Sequence, residues 1–405
     1  MMRSKKLAAA TVVLAVALAA CGGDDDAADP PAPATTETTD TDEAPSEPEP
    51  AEPEPGEPEP DDTTDDDAGL ERARAVVEAN LVPPAEIGPT IPLESVPDTK
   101  TVAWLECSLP SCAAIGRGFE EAVGLLGWNL EIVSWDTDAA AAFQQAIDLG
   151  VDYVAVTGTP PALIQTQLDA AAAAGIAFFS CFDTADPEQE ANNIWVQCGD
   201  DEAVTRAGEL IANAIIADSD GTANVLMVNI PDFTVLVNER EGSEAAYAEN
   251  CPGCTFDELA LTLDQLLAGE VPAAIVAAVQ ADPDIEYLHF AFDGLAGGVS
   301  TTLESAGLLD GLKLVGVDYS GAILQEIVNG TQQFWTTNPK EYAAWIMVDG
   351  MARHAIDQDN VEERSNALLP TFIVNSPEMA EPLISTDGWP GPDTMAEQFA
   401  ALWGV

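Results

Sequence analysis

Seven cysteines and two histidines have the widest chemical repertoire in this 405-residue chain, and their spacing narrows what they can do. Cys107 and Cys112 bracket "CSLPSC", Cys251 and Cys254 bracket "CPGC", Cys181 and Cys198 flank one further stretch, and Cys21 stands alone near the N-terminus. Cys107, Cys112, Cys251 and Cys254 could make an all-cysteine zinc site if their loops met, and "CPGC" has the spacing of a redox motif. Neither His289, inside an apolar run, nor His354, in "MARHAID", neighbours a cysteine, and no HExxH, GxSxG or Walker A pattern occurs. Asp282, Asp284 and Glu286 alternate in "ADPDIE" without the central glycine of a calcium loop, so the stretch reads as a turn. The expectation is a protein that is not an enzyme and holds no metal or cofactor.

The N-terminus decides the compartment in which the cysteines work. Arg3, Lys5 and Lys6 precede an apolar run over residues 7–20, too short to span a bilayer and ordered as an export signal. The run ends in "LAAC", which resembles the lipobox of bacterial lipoproteins. That resemblance implies a signal peptide over residues 1–20, a lipidated Cys21 and attachment to the membrane. Export favours disulfides over zinc. The six remaining cysteines allow many connectivities, of which closeness along the chain favours Cys107 with Cys112, Cys181 with Cys198, and Cys251 with Cys254.

Acids outnumber bases 71 to 13, a net charge of −58, which argues against nucleic acid as a partner. Residues 21–67 combine dense Asp and Glu with repeated "EPEP" and almost no large apolar side chains. Such a segment cannot bury enough surface to offset its ordering entropy, which predicts a disordered acidic spacer. Residues 68–99 read as an N-terminal extension, a short helical pattern followed by a Pro-broken stretch lying along the domain surface.

From residue 100 the composition changes to apolar runs alternating with helical patterns. "TVAWLE", "LEIVSW", "VDYVAVT", "IAFFSC", "ANVLMVN", "TFDELAL", "IEYLHFAF" and "LKLVGVD" are mostly continuous rather than alternating, as strands covered on both faces require. Helical faces such as Ile115, Phe119, Ala122, Val123 and Leu126 lie between them. This is an α/β chain with parallel sheets and, at about 300 residues, two lobes rather than one. Ligands of such sheets bind outside the strands' carboxyl ends. The residues there are Glu106 and Ser108 after the first strand, Phe182 and Asp183 after the fourth, Asp293 after "HFAF" and Asp318 after "VGV"; Phe233, in "IPDFTVLVNER" after a strand, is a stacking candidate.

Five stretches in order, "GRGFEEAVGLLGWNLEIVSWD", "FQQAIDLGVDYVAVTGTPPALIQTQLDAAAAAGIAFFS", "NEREGSEAAY", "FAFDGLAGGVSTTLESAGL" and "LKLVGVDYSG", resemble the ribose-type (type I) periplasmic sugar-binding proteins, substrate-binding components of ABC importers. The resemblance spans roughly residues 100–375. It implies two Rossmann-like lobes joined by a hinge, residues 100–199 plus 338–367 and residues 200–337 plus 368–405. It also implies an extracytoplasmic receptor for a small solute, commonly a sugar, with an ABC permease as partner; a receptor signalling occupancy to a membrane sensor is the alternative.

Carried over by position, Asp318 matches the acid that accepts ligand hydroxyls, Arg240 matches the arginine of the second lobe, and Asp293 matches an aspartate beside the ligand. Asp318 also fits a helix N-cap, and Arg240 fits pairing with Glu239, Glu241 or Glu244. The chain departs from the pattern at Phe292, at Phe182-Asp183, at Thr337 in the last hinge region and at "CSLPSC", which replaces the loop after the first strand. Lost amides and gained rings imply a less polar pocket, so an aromatic or heterocyclic solute stands beside a sugar. Trp104 reads as core; Phe334 and Trp335 read as stacking candidates. Ser111 reads as the N-cap after the "CSLPSC" bridge. Intact-mass measurement on the exported protein is expected to find no free thiol, and free thiols at both Cys107 and Cys112 would refute the bridge.

Overall fold

A computed structural model describes residues 63–159, 161–183, 190, 192–359 and 369–405. The expected signal peptide, Cys21 and the spacer lie outside these residues, except that 63–67, expected in the spacer, open a helix. In chain order the elements are α1 (Thr63–Ala79), β1 (Thr101–Glu106), α2 (Pro110–Leu125), β2 (Asn129–Ser134), α3 (Ala139–Leu149), β3 (Tyr153–Thr157), α4 (Pro161–Ala174), β4 (Ala177–Cys181), β5 (Ile194–Cys198), α5 (Asp201–Asp218) and β6 (Asn224–Asn229). Then follow α6 (Thr234–Asn250), β7 (Thr255–Ala260), α7 (Leu263–Leu267), α8 (Val271–Ala281), β8 (Tyr287–Phe290), α9 (Val299–Ala306), β9 (Lys313–Val317), α10 (Gly321–Asn329), β10 (Phe334–Thr336), α11 (Lys340–Ala355), β11 (Ile373–Val374), α12 (Pro377–Ala380) and α13 (Met395–Trp403).

The first sheet has the order β2-β1-β3-β4-β5 and is parallel throughout. The second runs β11-β10-β9-β8-β6-β7, parallel except where β11 joins β10. The central strands of each sheet are covered on both faces, which explains their continuous apolar runs: β4 is buried at every position, as is β8, whereas the edge strands β2 and β7 are much more exposed. Trp104 is fully buried and stacks on Phe119, as expected of core. Asp138 and Asp200 cap α3 and α5 through side chains that accept from Ala141 and Ala203 N–H. β5, β10 and β11 were not legible in the pattern. They have five, three and two residues, and their register on a neighbouring strand, rather than any period, defines them.

The tail corrects one expectation. Residues 368–405 were expected together with the second lobe, and Phe372, Val374, Ala380 and Trp389 do pack into its core. Met395, Phe399, Leu402 and Trp403 instead join the core of the first sheet, where Trp345 stacks on Phe399 and Trp403. The N-terminal extension is divided the same way. Ala73 of α1 packs into the second lobe, whereas Ile87 joins the first and Leu93 N–H donates to the Leu402 carbonyl.

α11 links the halves. It leaves β10 of the second sheet and lies against α2 of the first, so closely that a Cβ on Gly118 would meet the Glu341 carbonyl oxygen at 2.3 Å. Only glycine permits that approach. Arg353, with no exposed surface, donates to both carboxylate oxygens of Asp349 and to the Ile91 carbonyl, and Asp349 also accepts from Trp403 Nε1 at 2.8 Å. One buried ion pair thus ties both terminal segments to α11. Arg353→Leu, which strands the Asp349 carboxylate, is expected to lower the unfolding free energy by about 3–5 kcal/mol in denaturant titration; a loss under about 1 kcal/mol would refute this role.

Candidate functional site

The carboxyl ends of the strands carry the residues of interest. After β4 and β5, Cys181 and Cys198 form a disulfide, and Phe182 follows with φ 59°, a backbone region that bulky side chains rarely adopt. Its N–H donates to the Cys198 carbonyl, and its ring lies over Gly199, where a Cβ would come within 2.7 Å of the ring. Phe182 is partly buried and packs against the first core. Phe182, Asp183 and Gly158 then line a cavity whose other wall is Asp232, Phe233, Thr234 and Val235 of the second lobe. Phe233 precedes α6 without capping it by a side chain, so the helix N-terminus, with its positive dipole end, borders this space.

Deeper in the second lobe, Asp318 follows β9 with φ 65°, and its carboxylate accepts from the ammonium of Lys340, the first residue of α11. It does not cap α10, whose N-cap is Ser320. Asp293, after β8, is pushed up to about 6, first by burial and then by the Asp318 charge, against the opposing pull of Lys340 and of hydrogen bonds from Ser320 and the Gly294 N–H. Burial works against the charge on Lys340, but Asp318 and Asp293 outweigh it and raise its pKa. Behind them Glu239 Oε1 and His289 Nε2 lie 3.4 Å apart with no exposed surface to speak of. They are not an ion pair. Burial, then Asp318, pushes Glu239 well above the carboxylate range, and burial pulls His289 down to about 3.

The structure therefore assembles Phe182, Asp183 and Phe233 in one place and Asp293 and Asp318 in another. Phe292, partly buried, packs on the second core with its ring against Gly294. Thr337 is buried, its N–H donating to the Phe372 carbonyl and its own carbonyl accepting from Thr371. Glu106 sits at the edge of β1 near Gly116, and Ser108 is exposed in the loop closed by the Cys107–Cys112 disulfide. Cys251 and Cys254 are joined likewise. Arg240 is not part of either group: its guanidinium pairs with Glu244 at 3.0 Å and Glu258 at 3.4 Å. The Ser111 cap is also absent, because α2 begins at Pro110 behind Leu109. Phe334 and Trp335 are core; Trp335 stacks on Phe290 and donates to Gln332. Lys340, Asp232 and Thr234 were missed, since nothing in their local pattern separates them from surface residues.

Two doubly covered α/β halves that meet at their strand ends, with a cavity walled by both, define a two-lobed binding protein. A family described as periplasmic binding protein domain matches residues 110–359, and the chain belongs to it. An ABC transporter solute-binding protein from Mycobacterium smegmatis with bound glycerol is similar at 18% identity and TM-score 0.59, over 72% of this chain and 99% of that one. One from Agrobacterium vitis, bound with alpha-D-tagatopyranose, has 15% identity and TM-score 0.61 over 72% and 99%. A carbohydrate transporter protein from Acidothermus cellulolyticus in complex with myo-inositol has 19% identity and TM-score 0.56 over 71% and 98%. They share the type I fold. No curated protein matches the chain.

The raised Asp293 has a stability consequence with a definite sign. Below about pH 4 the carboxyl is protonated in folded and unfolded chain alike. Between there and pH 6 the unfolded chain gives up its proton first, so stability falls as pH rises through that window. Asp293→Asn removes the loss. Its melting temperature is expected to exceed that of the wild type by about 2–4 °C at neutral pH, the shift that roughly 1 kcal/mol produces, and to match it near pH 4. A difference that does not change with pH would contradict the assignment.

Proposed function

We propose that this protein is an extracytoplasmic lipoprotein that captures a small, sugar-like solute by closure of its two lobes and delivers it to an ABC permease. The observation that carries the reading is the cavity walled by Gly158, Phe182 and Asp183 on one side and by residues 232–235 on the other. A solute touching both walls stabilises the closed arrangement by its differential affinity for it. The Asp318 carboxylate, at the end of β9, is the acceptor for ligand hydroxyls. Glycerol, a tagatopyranose and myo-inositol in the three similar structures support a polyol as the ligand class. The rings of Phe182 and Phe233 on that cavity favour a second reading, in which a planar heterocycle stacks there.

Lipidation at Cys21 anchors the chain, and an acidic, Pro-rich spacer of this length reaches at most roughly 140 Å at about 3.1 Å per residue. Repulsion from an anionic membrane face keeps the binding domain clear of it.

Thermal-shift measurement against D-allose, D-tagatose, myo-inositol, nucleosides, amino acids and aromatic acids tests the ligand class. Saturation at about 100 times Kd stabilises by roughly 2.7 kcal/mol, a rise of several degrees. Asp318→Asn, which tolerates the same left-handed backbone, is expected to lose the rise. A rise for a nucleoside or aromatic acid with none for any polyol would sink the sugar reading.

A further inference from the structure

We propose that Lys340, held by Asp318 beside Asp293 at the strand ends of the second lobe, is the specificity-determining hydrogen-bond donor, offered to an oxygen of a neutral, hydroxyl-rich ligand. The inference rests on the solute-binding reading above and names the residue that would decide its ligand class.

The site is short of donors. Phe292 and Thr337 stand where the resemblance expects an Asn and a Gln, and the Arg240 guanidinium is committed to Glu244 and Glu258. Lys340 repairs the deficit from an unexpected place. As the first residue of α11 it directly follows the crossover from β10, which brings its side chain to the carboxyl ends of β8 and β9. Its side chain is 9% exposed and that of Asp318 is 19% exposed, so the pair is desolvated yet not sealed.

An ammonium has three N–H donors. Among the described residues Lys340 makes one hydrogen bond, to Asp318. A buried cation with unused donors is an incomplete arrangement, since unmade hydrogen bonds on a buried charged group are costly. The charges facing it are Asp318, Asp293 and, further off, Asp387. Two carboxylates against one ammonium repel an anion, and the ammonium itself already fills the place a cationic ligand would take. A vicinal diol suits both halves of the pair: one hydroxyl accepts from Nζ while the other donates to the Asp318 carboxylate.

α11 also gives the residue its leverage. The helix packs against α2 of the first lobe, with Arg117 bonded to Glu341 at 2.7 Å, while Asp318 and Asp293 belong to the second. A ligand held by Lys340 and Asp318 is therefore held between a helix that packs on the first lobe and a strand end of the second.

Calorimetric titration of wild type, Lys340→Met, Lys340→Arg and the charge-balanced double variant Asp293→Asn with Lys340→Met, using D-allose, D-tagatose and myo-inositol as probes, tests this. Whichever probe binds the wild type is expected to bind at least about tenfold more weakly to Lys340→Met and to the double variant, with partial recovery in Lys340→Arg. Melting curves of the double variant, which keeps the net charge of the cluster, separate loss of the donor from loss of the fold. An unchanged Kd in a folded double variant overturns the proposal and leaves the solute-binding reading intact. Failure of the wild type to bind any of the three sugars defeats the polyol reading itself, and this inference with it.

Discussion

Taking a charge out of water is costly unless a partner of opposite charge goes with it, and α11 carries a buried cation at each end. At its start Lys340 is held by Asp318 beside Asp293; near its end Arg353 is held by Asp349. These two pairs explain much of the architecture. The first fastens the helix to the strand ends of the second lobe. The second collects the termini, since Arg353 also donates to the Ile91 carbonyl and Trp403 donates to Asp349. The buried aromatic and aliphatic clusters supply the bulk of the apolar burial. Each ion pair instead specifies where a segment must go, because a misplaced segment would leave a charge unpaired.

The same constraint shapes the cleft. The chain is strongly acidic, yet its buried acids near the site are managed individually. Asp318 keeps a cation, Asp293 is pushed up to about 6 by burial and by its neighbour, and Glu239 faces a neutral imidazole. Like-charged groups sharing a low-dielectric region cannot all ionise. The excess negative charge is left to the solvent-facing surface, where salt screens it.

Much of the fold was legible because doubly covered parallel strands leave long apolar runs, and eight of those runs coincide with strands to within a few residues. The short strands β5, β10 and β11 were not, because pairing creates them. The site was legible in part. Phe182 and Asp183 follow from the rule that ligands meet strand ends, Phe233 from its ring after a strand, and all three line one cavity. Arg240 was assigned by position within a motif, but its helix turns it toward Glu258 of β7, and electrostatics completes the pairing. Lys340 gave no signal, since "NPKEY" reads as an ordinary helix start.

What the sequence determined by itself is whatever local composition and periodicity can carry: the apolar and acidic leader segments, the alternation of strand and helix, and hence two parallel sheets. The tertiary structure alone decided which lobe receives the C-terminal helix, which carboxylates share a cation, and that Phe182 stands over Gly199. Those outcomes depend on pairwise distances between residues far apart in the chain. Burial and charge pairing fix such distances only after the sheets have formed, so no window of sequence contains them.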